Sequence, residues 1–214
     1  MNSLDGVMVV GLTGQTGSGK TTVCKRFQEY GFAVINADIV ARHIMEPDTL
    51  CLKEVAECFG SDILNPDQSL NRQKLADIVF QDAIKLELLN SITYPHITSE
   101  ILSLIKENSS AGHKLILLDA PTLFESRSDD FCEIIISVIA DEPVRLKRIV
   151  KRDSLTEEQA LYRIRSQHTE KFFVDNSDFI IKNNDETMDK LDAIVKELAD
   201  KIKKYYENKF KDQE

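Results

Sequence analysis

Apolar residues in this chain gather into short runs separated by amphipathic stretches. Residues 7–12, 32–36, 115–119, 134–139 and 179–181 are nearly continuous in valine, isoleucine, leucine and phenylalanine. Runs of that composition suit parallel strands buried on both faces. Between them the spacing turns helical. Val23 and Phe27 lie four apart within residues 22–30, and Gly31 follows as a stop signal. From 40 to 112 no strand is expected: Leu52, Val55, Ala56 and Phe59, then Leu75, Ile78 and Val79, then Leu86, Leu89, Ile101, Leu102 and Ile105 repeat at helical spacing. Pro47, Gly60, Pro66 and Pro95 punctuate that stretch. Residues 143–152 and a segment opening at Thr156, with Gln159 three positions on, read as two further helices. A lysine-rich amphipathic helix is expected from Asp185 to Phe210, its charge a solvated face.

Strands alternating with helices imply an α/β fold: a three-layer, doubly wound, parallel five-stranded sheet. The expected organisation is a core of residues 1–39, 113–142 and 176–210, an all-helical insertion of 40–112, and a helical lid of 143–175.

One connection carries chemistry. Gly14-Gln15-Thr16-Gly17-Ser18-Gly19-Lys20-Thr21 fits the phosphate-loop pattern G-x-x-x-x-G-K-[ST] and lies between the first strand and the first helix. Glycines let successive N–H groups turn inward around phosphate oxygens, and the helix N-terminus adds its positive dipole end. Lys20 is expected on the β/γ-phosphates and Thr21 on Mg²⁺. In open parallel sheets ligands sit at the carboxyl ends of the strands. The second strand delivers Asp38 there, and the third delivers Asp119 before Ala120-Pro121. Asp119 is a candidate metal-holding carboxylate or a strand-end cap. Asp38 is either the group that orients and deprotonates an acceptor hydroxyl or the N-cap of a helix beginning near Ile39.

Composition narrows the picture. The 214 residues are 42% hydrophobic and 29% charged, as in a soluble globular protein. No apolar run is long enough for a membrane span, and the N-terminus lacks a signal-peptide pattern, so a cytoplasmic location is expected. The four cysteines form no C-x-x-C pair and the four histidines are scattered, which disfavours disulfides or a zinc site. A net charge of −9 argues against nucleic acid as a partner. Positive charge concentrates instead in Arg145, Lys147, Arg148, Lys151 and Arg152, with Arg145, Arg148 and Arg152 on one helical face. Beside a phosphate loop, such guanidiniums suit a lid that neutralises a transferring phosphoryl group and excludes water.

With these motifs in place, the chain resembles the dephospho-CoA kinase family. The likeness runs from about Val9 to Asn184. It is carried by the glycine loop, Val34-Ile35-Asn36-Ala37-Asp38, Leu70-Asn71-Arg72, Asp119-Ala120-Pro121-Thr122-Leu123-Phe124-Glu125, and Arg148, Arg152-Asp153, Arg163, Ile164 and Gln167. Ser177-Asp178-Phe179-Ile180-Ile181 and Asn183-Asn184 complete it. The resemblance implies ATP-dependent phosphorylation of the ribose 3′-hydroxyl of dephospho-CoA, the last step of coenzyme A synthesis, with Mg²⁺. ATP and dephospho-CoA would be the partners of a monomer or weak homo-oligomer. It implies Asp38, Lys20, Arg148 and Arg152 as catalytic groups. Gly14 to Thr22, with Asn183 and Asn184, would bind ATP. Asp38, Arg72, Asp119 and Pro121 would face the acceptor, and Thr21 and Asp119 the metal. The sequence departs from the family pattern at Asn36, Asn71, Tyr94 and Thr122. A nucleoside or nucleotide kinase with the same core, and a nucleotide-dependent switch, remain the alternatives; the guanine-specifying N-K-x-D of a GTPase is absent.

Overall fold

In the computed structural model, which describes residues 6–184 and 187–210, the five apolar runs become five strands. They are β1 (Met8–Gly14), β2 (Ala33–Asn36), β3 (Leu115–Asp119), β4 (Ile134–Ile139) and β5 (Phe179–Lys182). They form one sheet in the order β2-β3-β1-β4-β5. β1 is parallel to β3 and to β4, and β4 is parallel to β5. The chain therefore crosses over the sheet between neighbours, as a doubly wound fold requires.

Helix α1 (Lys20–Glu29) follows β1, and α9 (Met188–Phe210) closes the described chain. The expected start of that last helix at Asp185 lies outside the described residues. Val23 and Phe27 of α1 and Leu191, Val195, Ala199 and Ile202 of α9 pack with Met8, Val10, Leu12, Leu117 and Ile136 of the sheet in one buried cluster. The alternate positions Val9, Ile116 and Leu118 are equally buried, so both faces of the sheet are covered. That double burial is why these strands read as unbroken apolar runs. β1 extends two residues beyond its expected end because Thr13 and Gly14 still pair with Ser137 and Val138 of β4.

After β4 come α6 (Glu142–Asp153), α7 (Glu157–Arg165) and α8 (Glu170–Asp175). α7 opens with the reciprocal Thr156–Gln159 capping box read in the sequence. Ile149, Ala160 and Ile164 join α6 to α7 through a small apolar core of their own.

The chain divides into two compact units, Met1–Ile35 with Lys106–Glu214, and Asn36–Ile105. The second contains α2 (Ala37–His43), α3 (Leu50–Phe59), α4 (Arg72–Val79) and most of α5 (Ala83–Ser110). Beyond Asn36, the last residue of β2, its described residues form no strand, only one isolated bridge between Leu64 and Leu70. Val55 and Ile63 are fully buried within it. Pro95, expected to interrupt the helical stretch, lies inside the 28-residue α5. Proline deletes one backbone donor and crowds the preceding turn, but here the helix continues on both sides of it, with Ile101 and Ile105 fully buried beyond. No described helix is long and apolar enough to cross a membrane.

Candidate phosphate-binding site

The glycine loop leaves the carboxyl end of the central strand β1 and runs into α1. Gly19 is the N-cap of α1, in the left-handed region at φ 94°; no side chain caps this helix and no acidic residue stands in its first turn. The N-terminus of α1 thus carries neither a capping side chain nor an acid of its own first turn, which leaves the positive end of its dipole for a phosphate. A Cβ on Gly19 would sit 2.3 Å from Asn183 Nδ2, so the loop and the β5 exit are packed as closely as glycine permits.

Charge at the site is arranged in pairs. Lys20 Nζ donates to Asp119 Oδ1, and the two side chains are only 14% and 7% exposed. Cys24, one turn into α1, is held as a thiol: burial, with Asp119 adding to it, pushes its pKa up to about 11. Pro121, two residues past Asp119, accepts a 3.2 Å bond from Thr13 Oγ1 through its carbonyl, tying the ends of β3 and β1 together.

The basic helix α6 meets the loop from its own side. Arg148 Nη1 donates to the carbonyls of Gly17 (3.3 Å), Ser18 (3.2 Å) and Asn183 (3.0 Å). Asn183 Nδ2 donates to Ser18 O at 2.7 Å. Asn184 accepts from Asp141 N at 2.8 Å and donates to Asp141 Oδ2 at 2.7 Å, joining the end of β5 to the start of α6. Arg145, 4% exposed, donates from Nε to Thr16 O at 2.9 Å, and burial pulls its pKa down. Arg152 behaves differently. Its Nε and Nη2 donate to Asp153, at 2.7 and 2.8 Å, and Asp153 also accepts from Arg163. The Arg152 hydrogen bonds hold the Asp153 carboxyl below the usual range.

The chain that carries this site is similar over most of its length to known proteins. The dephospho-CoA kinase family profile aligns with residues 8–189. A dephospho-CoA kinase of Listeria monocytogenes is 39% identical over 200 residues, covering 94% of this chain and 98% of its own length. The chain belongs to the dephospho-CoA kinase family. A rice (Oryza sativa subsp. japonica) dephospho-CoA kinase is 36% identical over 197 residues, covering 91% of this chain and 86% of its own. Among solved structures, a dephospho-CoA kinase from Campylobacter jejuni superposes with TM-score 0.69 at 26% identity, over 92% of this chain and 97% of that one. A Thermus thermophilus protein superposes with TM-score 0.76 at 27% identity, over 91% and 97%. The matched span includes the helical unit 36–105, which is therefore family equipment rather than an addition peculiar to this chain.

In that second unit Asn36, not Asp38, caps α2: its Oδ1 accepts the Ile39 N–H at 3.0 Å. The capping alternative for Asp38 is excluded, and its carboxylate stands exposed in the first turn of the helix. Asn71 does the same service for α4, accepting from Lys74 N at 3.0 Å, so the departures at 36 and 71 keep good N-caps. Arg72, first residue of α4, stands at a cavity of about 240 Å³ lined mainly by apolar side chains including Leu75, Val79, Leu86 and Leu89.

Within the first unit, then, Lys20, Asp119, Arg148 and Asn183 converge on the loop, while Arg152 is held by Asp153. Arg145 shared a face with Arg148 in the sequence, but nothing there showed that it would be buried against Thr16. Nor did spacing reveal that Cys24 would stand beside Asp119.

Proposed function

We propose that this chain transfers the γ-phosphoryl group of ATP to the ribose 3′-hydroxyl of dephospho-CoA in the cytoplasm, giving coenzyme A, with Asp38 addressing that hydroxyl. The observation carrying the Asp38 assignment is the cap exchange: Asn36 satisfies the helix start, so the Asp38 carboxylate is not spent on the cap. A carboxylate within hydrogen-bond reach of the acceptor would orient the hydroxyl and take its proton as the phosphorus–oxygen bond forms.

The donor triphosphate lies along the loop, with the N–H groups of Gly17, Gly19, Lys20 and Thr21 toward its oxygens, while those of Ser18 and Thr22 are spent on the Gln15 and Gly19 carbonyls. Lys20 exchanges Asp119 for the β/γ-phosphates. Arg148 keeps the loop carbonyls turned outward, which keeps the neighbouring N–H groups turned in. Asn183 and Asn184 border the adenine. Arg152, on the lid of residues 143–175, exchanges Asp153 for the transferring group, whose charge a guanidinium fork matches better than an ammonium does. The Thr21 hydroxyl and the Asp119 carboxylate are hard oxygen donors of the kind Mg²⁺ takes. Mg²⁺ characteristically takes one or two protein oxygens and fills the rest of its shell with water and phosphate. Held there, the ion would neutralise β- and γ-phosphate charge. On the acceptor side, Arg72 pairs with a substrate phosphate, the apolar cavity beside it takes the pantetheine arm, and Pro121 borders the nucleoside.

The test is Asp38→Asn. It removes the proton acceptor, keeps the size, and leaves the Asn36 cap in place. ATP binding and the melting temperature should be preserved, while kcat falls about 10²–10⁴-fold, the usual worth of a positioned base. Near-normal turnover in that variant would remove Asp38 from the reaction.

A further inference from the structure

Thr16 is held from outside the loop at both ends of its backbone. Its N–H donates to Gln167 Oε1 at 2.7 Å, and its C=O accepts from Arg145 Nε at 2.9 Å. Its neighbour Gln15 is also fixed: the backbone N–H donates to Val138 O at 3.1 Å, and Oε1 accepts from Ala140 N at 3.3 Å. Arg145, Val138 and Ala140 come from the continuous β4–α6 segment that would flank the loop in any case. Gln167 comes from the far side of α7, 151 residues away from Thr16.

The backbone that carries Gln167 is anchored in turn. The next residue, His168, stacks on Phe172 with ring centroids 3.8 Å apart and planes 15° from parallel. Its Nε2 lies 3.4 Å from Glu125 Oε1. Phe124 meets the edge of Phe172 at 5.2 Å. Glu125 and Phe124 belong to the segment that follows Asp119. Gln167 and its neighbour His168 together therefore link three parts of the enzyme: the phosphate loop, the α6–α7 arm and the chain beyond β3.

We propose that Gln167 is a positioning residue for phosphoryl transfer, acting through the Thr16 peptide. A phosphate loop works by the angle at which its N–H groups meet developing charge, and preorganised donors need no reorientation during reaction. By accepting the Thr16 N–H, Gln167 diverts that donor from the phosphates and fixes the peptide plane from which the following N–H groups take their direction. Without it, the Gln15–Thr16 peptide keeps the Ser18 N–H on its carbonyl at 3.1 Å but loses its second tether, so the Thr16 N–H can tilt toward solvent or phosphate and the γ-phosphoryl group loses its alignment with the acceptor. The same bond adds to those of Arg145 and Arg148 in holding the arm to the loop.

This proposal rests on the kinase reading above, and its test separates the two. In ligand-free full-length protein, amide exchange at Thr16 is compared by NMR in wild type, Gln167→Met and Gln167→Glu. Methionine matches the length without a comparable acceptor; glutamate keeps the oxygen. Exchange at Thr16 should accelerate in Q167M and return to slow in Q167E. In steady-state assays Q167M should lose about tenfold to a hundredfold in kcat, the usual effect of an ångström-scale misplacement. Its KM for dephospho-CoA should hold, and the share of ADP formed without acceptor should rise. Unchanged exchange at Thr16 in Q167M, or kcat within about twofold of wild type, overturns the proposal. So does loss of kcat and thermal stability together with no recovery of slow exchange in Q167E, which would make Gln167 a packing residue. Exchange is read with no acceptor present, so failure of the dephospho-CoA reading leaves that arm intact.

Discussion

Replacing Lys20 with methionine keeps the length of the side chain and deletes its charge. Asp119, 7% exposed, then keeps a carboxylate whose cationic partner has gone. Breaking a buried pair from one side costs about 3–5 kcal/mol, since the remaining charge stays desolvated. Against a total stability of about 5–15 kcal/mol the variant should still fold. At about 2–4 °C per kcal/mol for a chain of this size, its melting temperature should fall by about 6–20 °C. The reverse substitution, Asp119→Asn, should cost less: the Lys20 side chain is twice as exposed, at 14%, and its flexible stem can carry the ammonium to water. The Lys20→Met/Asp119→Asn double variant has neither charge and should be more stable than the two single costs predict, by at least about 1 kcal/mol. Urea unfolding followed by far-ultraviolet circular dichroism measures all four corners; the chain has no tryptophan to serve as a fluorescence probe. If the single costs add to the double cost within about 0.5 kcal/mol, or if Lys20→Met costs less than Asp119→Asn, the pair is not the buried charge couple described above.

Other outcomes follow from single contacts. Asn36→Ala should cost about 1 kcal/mol by leaving α2 without its cap, whereas Asn36→Asp, an equally good cap, should hold stability within about 0.5 kcal/mol; thermal melts of both decide it. Gly14 lies at φ 146°, and a Cβ there would sit 2.2 Å from Val138 O. Gly14→Ala should therefore cost about 2–5 kcal/mol from strain and overlap with backbone that cannot give way, read as a lowered urea midpoint. Alkaline pH should also weaken the fold. Burial pushes the Cys24 and Cys51 thiols up to about 11. The unfolded thiols lose their protons near pH 8.5, so above that pH the unfolded state binds fewer protons than the native one and stability declines toward pH 11. The loss in urea midpoint between about pH 8 and pH 10 should shrink in Cys51→Ala; an undiminished loss would remove that thiol from the effect.

The core was legible in the sequence because a parallel sheet covered on both faces requires unbroken apolar strands. β3 and β4 begin and end where the runs at 115 and 134 do. The capping box of α7 was legible because its chemistry is local, within four residues. Pro95 misled, since a local helix-breaking signal cannot weigh the tertiary packing that carries α5 through it. Asp38 stayed ambiguous for a related reason: Asn36 and Asp38 are both good N-caps, and only the position at which α2 starts separates them. Arg145 and Gln167 were visible as polar residues in a basic segment. Their grip on Thr16 spans 129 and 151 residues, and no periodicity encodes such a contact.

Acceptor choice tests the account most directly. ADP release coupled to a reporter should be stimulated by dephospho-CoA in the presence of Mg·ATP. It should stay near its acceptor-free rate with AMP, CMP or a nucleoside, and the product should carry its new phosphate on the ribose 3′-oxygen. Equal or greater stimulation by AMP, CMP or a nucleoside, or a phosphate at another position, would contradict it.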